Sequence, residues 1–271
     1  MAEPFVKWAG GKRQLLDRIN PRLPKTINRY YEPFLGGGAV FLDNDFPFAT
    51  INDVNAALVN TYIQIRDCPA EVIRILIELD NKIVDGGKDF YYEVRSEYND
   101  KLINCCFDTK LASYFIFINK HCFNGLYRVN AKGLYNVPYN NSIKSSFSSK
   151  NIYDVSDKLK CVDILCGDFE LACENCKKGD FVFFDSPYVP LNDTSFEDYT
   201  KEGFSKDNHI RLSNLYKRLS EKGVNCMLTN HNTPLVRELY NDFKIEVVDV
   251  NRFINSNGSK RKGQEVIITN Y

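Results

Sequence analysis

The chain has 271 residues, 44% of them hydrophobic, and its 35 basic and 35 acidic side chains cancel to a formal net charge of zero. That is enough apolar content for one sizeable domain, with or without a smaller insert, and the balanced charge excludes a global basic field that would bind nucleic acid by charge alone. No run approaches the length of a membrane span.

In chain order, the opening MAEPFVKWAGGK lacks the apolar centre of a signal peptide, so a soluble, cytoplasmic protein is expected. RYYEPF (29–34), FATIND (48–53), VDILCGD (162–168), FVFFD (181–185), NCMLTN (225–230), KIEVVDV (244–250) and EVIITNY (265–271) read as strands. Helical patterns over 54–67 and 208–223 lie between some of them, the second closing at Gly223, a C-terminal glycine stop. Buried, non-alternating strands separated by helices predict an α/β fold with a mostly parallel sheet. The last two strands, joined by NRFINSNGSKRKGQ, predict an antiparallel edge hairpin.

Residues 71–150 interrupt the alternation. They carry three helical segments (69–83, 90–102 and 110–123) and then an irregular stretch rich in Asn, Gly, Ser and Tyr. From Thr109 to Tyr153 there is no acid, whereas Lys110, Lys120, Arg128, Lys132, Lys144 and Lys150 all fall there. One basic face inside a neutral chain is the footprint of a protein that meets phosphates on one side only. As composition alone, the basic stretch could also be a chance run in a loop-rich segment. Residues 1–70 and 151–271 then form the α/β domain, and 71–150 an insert that carries the basic stretch.

Nine cysteines without a secretion signal read as reduced thiols. Cys161 and Cys166 flank VDIL, a stretch expected to be a buried strand, so their side chains should point in divergent directions and not gather with Cys173 and Cys176. Buried thiols, not a zinc site, are expected. The three histidines show no pairing suited to acid–base work, and His121 is expected at the surface.

Two stretches carry chemistry. YEPFLGGGAVF (31–41) is a strand, a glycine turn and a helix start. It lacks the GxGxxG spacing and the GK[ST] ending of the common phosphate-binding loops, and taken alone it is equally a structural turn. About twenty residues later Asp53 ends the second strand, where an acid bonds a ribose hydroxyl. FFDSPY (183–188) puts an acid and an aromatic ring at a strand's carboxyl end, the edge that forms the ligand crevice of such sheets. There, Asp185 and the carbonyl of Ser186 can accept the two N–H groups of an exocyclic amine, and Tyr188 can stack on a base. By itself this stretch reads better as a capped turn with a core tyrosine.

KWAGGK (7–12), EPFLGGGAVF (32–41), CFNGLYRVNAKGLYNVPY (122–139) and DSPY (185–188) occur in that order. Together they resemble the Dam-type, D12-class group alpha DNA adenine-N6 methyltransferases over essentially the whole chain. The resemblance implies a Rossmann-like sheet that binds S-adenosylmethionine, a helical target-recognition insert, double-stranded DNA as partner and no metal, in a monomer or weak dimer. It makes 1–70 and 151–271 the catalytic methyltransferase domain and 71–150 the DNA-binding insert. It places Trp8, Lys12, Glu32, Gly36, Gly37, Gly38, Asp53, Asp168, Phe169 and Asp185 around the cofactor, and Asp185, Ser186, Pro187 and Tyr188 at the reacting amine. It places Lys7, Leu126 and Arg128 on the target bases, with Phe123, Asn124 and Pro138 near the flipped one. The target implied first is the inner adenine of GATC, with CATG and other short palindromes as alternatives. An RNA or protein-amide methyltransferase, or an inactive DNA-binding module, fits these residues less well. Two positions depart from the family: Ser186 replaces the usual proline, and NNSIKSS (140–146) replaces a Gly-Arg-Tyr-Lys run.

Overall fold

The computed structural model describes residues 2–191, 204–251 and 262–271. A short helix α1 (Leu16–Ile19) leads into β1 (Tyr30–Glu32), α2 (Ala39–Asp43), β2 (Ala49–Asp53) and α3 (Ala56–Asp67). Then come α4 (Pro69–Ile103), α5 (Thr109–His121), α6 (Ser149–Leu159), β3 (Val162–Cys166), α7 (Phe169–Ala172) and β4 (Phe181–Phe184). The chain ends with α8 (Lys206–Glu221), β5 (Asn225–His231), α9 (Pro234–Leu239), β6 (Lys244–Asn251) and β7 (Lys262–Thr269).

The strands form one seven-stranded sheet in the order β3-β2-β1-β4-β5-β7-β6. β1 to β5 run parallel, and β7 runs antiparallel to both β5 and β6. All seven expected strands form, and the last two pair antiparallel as expected. However, β7 lies inside the sheet and only β6 is an edge. Most of the linker proposed between them, 252–261, lies outside the described residues. At the opposite edge, β3 is largely exposed, which corrects the reading of VDIL as a buried strand. Cys161 and Cys166 are exposed with it, while Cys173 and Cys176 are buried with Cys226. Among the described residues no group of three or more potential ligands is gathered for a metal ion, and no helix is long and apolar enough to cross a membrane.

Local chemistry fixes the helices. The Asn55 side chain accepts from the Ala57 and Leu58 N–H groups to start α3, and Asp108, Ser148, Ser205 and Thr233 cap α5, α6, α8 and α9 in the same way. Gly223 follows α8 with a positive φ of 77°, the expected stop. The two helical patterns at 69–83 and 90–102 are joined in α4 through a kink at Gly87, whose φ of 48° and ψ of −129° are not helical.

β4 shows how the sheet is buried on both faces. Phe181 and Phe183 join the apolar cluster on one face, and Val182 and Phe184 the cluster on the other. The first cluster also contains Tyr91, Tyr98, Phe115 and Phe117 of α4 and α5 together with Tyr30, Phe41 and Leu58. The helices of 71–150 therefore share the core of the sheet. Trp8, the one tryptophan in the sequence, stacks 6.3 Å from Phe115 across this junction.

A shared core should unfold as a unit. Thermal unfolding followed by far-ultraviolet circular dichroism and by Trp8 fluorescence should give one midpoint, and deletion of residues 85–150 should leave no cooperative transition. Two separate midpoints, or a folded deletion variant, would show the helical segment to be an independent unit.

Candidate active site

The sheet order reverses at β1, whose neighbours are β2 on one side and β4 on the other. The loops leaving β1 and β4 therefore diverge and open a crevice at their carboxyl ends. A cavity of about 590 Å³ occupies it, lined by Trp8, Lys12, Glu32, Gly36, Gly37, Gly38, Asp53, Asp168, Phe169 and the Asp185–Tyr188 tetrapeptide. Residues that the sequence reading assigned separately to cofactor and to chemistry thus meet around one space.

The glycine turn is shaped from both sides. Gly36 has a φ of 50°, and a Cβ there would lie 2.5 Å from Trp8 Cδ1. Gly38 has a φ of 65°, and its Cβ would lie 2.8 Å from Tyr62 Oη. Neither position accepts a side chain without movement. Asp53 holds the turn by accepting from the Gly36 N–H through Oδ2 at 2.9 Å and from the Asn55 N–H through Oδ1 at 2.9 Å. The Val54 N–H also bears on this carboxylate; with about four acceptor directions, it keeps capacity for one further donor such as a ribose hydroxyl. Asn52 ties this turn to the next loop by donating to the carbonyls of Pro33 and Gly167 at 2.9 and 3.0 Å. Farther along, Phe34 and Phe169 stack with centroids 5.2 Å apart. Arg211 of α8 sits 4.9 Å from the Phe169 ring centroid and donates to Asp168 Oδ1 at 3.0 Å. Asp168 itself caps α7 through the Glu170 N–H. Flat aromatic walls, an acid at a ribose position and glycine backbone suit a nucleoside-bearing cofactor.

At the other end, Asp185 Oδ1 receives both the Lys12 ammonium at 2.6 Å and the Thr229 hydroxyl at 2.8 Å. Burial raises the Asp185 pKa, and Lys12 opposes that rise. Tyr188 donates from Oη to Glu265 at 2.8 Å, lies edge-on to His231 with centroids 4.8 Å apart, and has the Lys12 ammonium 4.5 Å from its ring centroid. Ser186 is buried, and its Oγ has no hydrogen-bond partner among the described residues. Beneath them, Glu32 accepts from Tyr30 Oη at 2.7 Å, and burial pushes its pKa up to about 8.

The expected base-reading residues form a neighbouring surface. Residues 122–139 fold back as an irregular hairpin, with bridges between Cys122 and Tyr139 and between Val129 and Tyr135. α4 holds it: Tyr91 and Arg95 donate to the Val137 carbonyl, and Asn99 brackets the backbone of Tyr135. Arg128 is exposed and braced by a 2.8 Å bond from Nε to Asn136. Phe123 is 53% exposed beside Pro138, whose carbonyl accepts its N–H at 2.8 Å. Asn124 is exposed, with a φ of 57°. Leu126 instead leans on the core, which leaves only part of its side chain exposed. Lys7 joins this surface because Asn119 clamps its backbone at 2.8 and 2.9 Å and its stem covers Gly125. Trp8 stacks on Tyr127 at 5.2 Å, which links hairpin and cavity. Of the basic stretch, Lys110 and Lys150 are already paired with Glu97 and Asp154.

The expectation for His121 is corrected. His121 is buried, with Nδ1 2.9 Å from the Ser142 carbonyl and Nε2 3.6 Å from Asp80, because α5 turns it inward. His231 lines the cavity against Tyr188. Glu265, Thr229, Asn52, Arg211 and His231 were missed as site residues. Each sits within an ordinary strand or helix pattern and gains its meaning from a partner distant in sequence.

Fold and site together give a crevice suited to a nucleoside-bearing cofactor, with an acid–tyrosine pair beside a hairpin that exposes Arg128. The D12 class N6 adenine-specific DNA methyltransferase family matches residues 8–254, and the chain belongs to it. It is an adenine-specific DNA methyltransferase, and enzymes of this family take the methyl group from S-adenosylmethionine. Similar proteins include the Type II methyltransferase M.MjaIII of Methanocaldococcus jannaschii, 42% identical over 99% of this chain and 99% of that one. The Type II methyltransferase M1.LlaDCHI of Lactococcus lactis subsp. cremoris is 41% identical over 99% and 95%. The DNA adenine methylase of Escherichia coli K12 is 32% identical over 98% and 94%.

The buried acids make a pH signature. Folded Glu32 holds its proton up to about pH 8, whereas the unfolded carboxyl releases it near pH 4.3. Between those values the native state binds more protons, so stability falls as pH rises and levels off above the folded pKa. The melting temperature should decline from pH 5 to pH 8.5, and Glu32→Gln should flatten that decline. Some slope should remain, because burial also raises Asp53 and Asp185. An unchanged slope in the variant would place the proton uptake elsewhere.

Proposed function

We propose that this enzyme methylates N6 of the inner adenine of GATC in double-stranded DNA, with Asp185, the Ser186 carbonyl and Tyr188 at the amine. The observation that carries the reading is the juxtaposition of the tetrapeptide with the glycine turn across a single cavity, beside a hairpin that exposes Arg128. The residues fit S-adenosylmethionine: Asp53 for the ribose, Phe34, Phe169 and Asp168 for the adenine, and Lys12 near the amino-acid end. When bound, that cofactor supplies an electrophilic methyl group on a sulfonium centre.

The chain's task is to make a poor nucleophile attack. The lone pair of an adenine amine is delocalised into the ring. Acceptors for both of its N–H bonds favour the pyramidal nitrogen that can attack, and so stabilise the transition state selectively. Lys12 and Thr229 both contact Oδ1 of Asp185, which fixes the carboxylate and leaves Oδ2 as the oxygen to accept the incoming N–H. The Ser186 acceptor is a backbone carbonyl, so the chemistry tolerates serine in place of proline. After transfer the nitrogen carries an extra proton, and Asp185, whose pKa burial raises, is the acceptor that the site offers. Tyr188 provides the face on which the extruded base stacks.

The hairpin supports the choice of target. Arg128, its guanidinium braced by Asn136, suits bidentate contact with guanine O6 and N7. The NGLYRVN block resembles that of enzymes acting on GATC. Expression in a methylation-free host followed by mapping of N6-methyladenine should return GATC; methylation at CATG or another palindrome would overturn the target, and none at all would overturn the activity.

Asp185→Ala should abolish transfer while duplex binding stays within a few-fold of wild type; turnover in the variant would remove Asp185 from the chemistry. Arg128→Ala should cost about 1–3 kcal/mol of discrimination at one base pair, measured by competition among duplexes with single substitutions. Uniform weakening on every duplex would make it a phosphate contact.

A further inference from the structure

Tyr188 is gripped at its far end by a residue of the last strand. Its Oη donates to Glu265 Oε2 at 2.8 Å, over 77 positions of sequence. Glu265 is paired across the sheet with His231 of β5, and the His231 ring meets the Tyr188 ring edge-on at 4.8 Å. His231 is itself tied to the Val189 carbonyl through Nδ1 at 2.7 Å. The Lys12 ammonium lies 4.5 Å from the ring centroid. These contacts divide the task geometrically. The hydroxyl lies on the ring's own axis, so its hydrogen bond fixes where that axis points. His231 and Lys12 bear on rotation about the axis, a torsion that is otherwise broad.

We infer that Glu265 is a positioning residue for methyl transfer, aiming Tyr188 so that the stacking face for the extruded adenine is set before DNA arrives. The inference rests on the stacking role proposed for Tyr188. A carboxylate suits the task because a charge-assisted O–H···O⁻ bond is short and about twice as strong as a neutral one. Burial, Asp185 and Glu265 all raise the phenol's pKa, so Tyr188 remains the donor. Packing alone gives no reason for the acid, since Glu265 is only half-buried and its charge also raises the Asp185 pKa.

The test compares kcat and KM on a duplex substrate for Glu265→Ala, Glu265→Gln, Tyr188→Phe and the alanine–phenylalanine double variant. Glu265→Ala should lower kcat about 10- to 100-fold, the scale of a misplaced reacting group, with KM for S-adenosylmethionine and affinity for DNA unchanged. Glu265→Gln keeps an acceptor in place and should stay within about threefold of wild type. Tyr188→Phe removes the same bond from the other side, so the double variant should be no slower than the slower single one. Wild-type kcat in Glu265→Ala, or multiplicative losses in the double variant, would overturn the inference. If Glu265→Ala does not fold, Tyr188→Phe decides alone, and an unchanged kcat there overturns it too. Failure of the underlying assignment looks different: wild-type protein itself would leave no N6-methyladenine in the duplex.

Discussion

The buried pair of Lys12 and Asp185 links the parts of this enzyme that must act together. Lys12 is 5% exposed and lies 2.6 Å from the carboxylate at the end of β4. A buried charge is tolerated only when it is paired, and removing one partner leaves the other uncompensated. The pair therefore pins the N-terminal segment to the end of β4. That segment brings Trp8 against the glycine turn and onto Tyr127 of the hairpin, and it sets Lys7 over Gly125. The same ammonium lies near the Tyr188 ring. One ion pair thus joins the cavity, the Tyr188 ring and the hairpin that exposes Arg128.

The carboxyl end of the sheet concentrates buried acids. Glu32, Asp53 and Asp185 end β1, end β2 and follow β4, and burial raises the pKa of all three. Each has a defined local partner: Tyr30 for Glu32, backbone N–H groups for Asp53, and Lys12 with Thr229 for Asp185. Acids held at some cost to folding mark a site selected for chemistry over stability. The hairpin follows the opposite logic. Three residues of α4 brace it from within the common core, so a segment of irregular backbone is firm enough to present Arg128.

Ser186 shows how a departure from family pattern is absorbed. The proline usual there contributes rigidity, and here the surroundings contribute it. Val189 donates its N–H to the Asn230 side chain at 2.9 Å, and Tyr188 is held by Glu265. The turn is fixed from its far side, and the acceptor proposed for the amine is a main-chain carbonyl, which serine supplies as well as proline.

Much of this was legible in the residues themselves. The seven strands, the capped helices and the glycine turn follow from short-range patterns of burial, capping and φ preference, and so does the acid at a strand end. The ordered blocks KWAGGK, EPFLGGGAVF, NGLYRVN and DSPY carried the family. Other features depended on which elements became neighbours. VDIL read as a buried strand, but β3 became an edge. EVIITNY read as part of an edge hairpin, which formed, but its pattern did not tell that β7 would be the inner strand beside β5; that placement put Glu265 opposite His231 and within reach of Tyr188. His121 read as a surface residue until α5 turned it toward Asp80. Hydrophobic period and turn chemistry are properties of adjacent residues, so the sequence by itself determined the elements and the chemical groups available. Strand order and helix packing depend on contacts between distant residues, and so only the tertiary structure decided which groups hold Tyr188 and which side chains share the cavity.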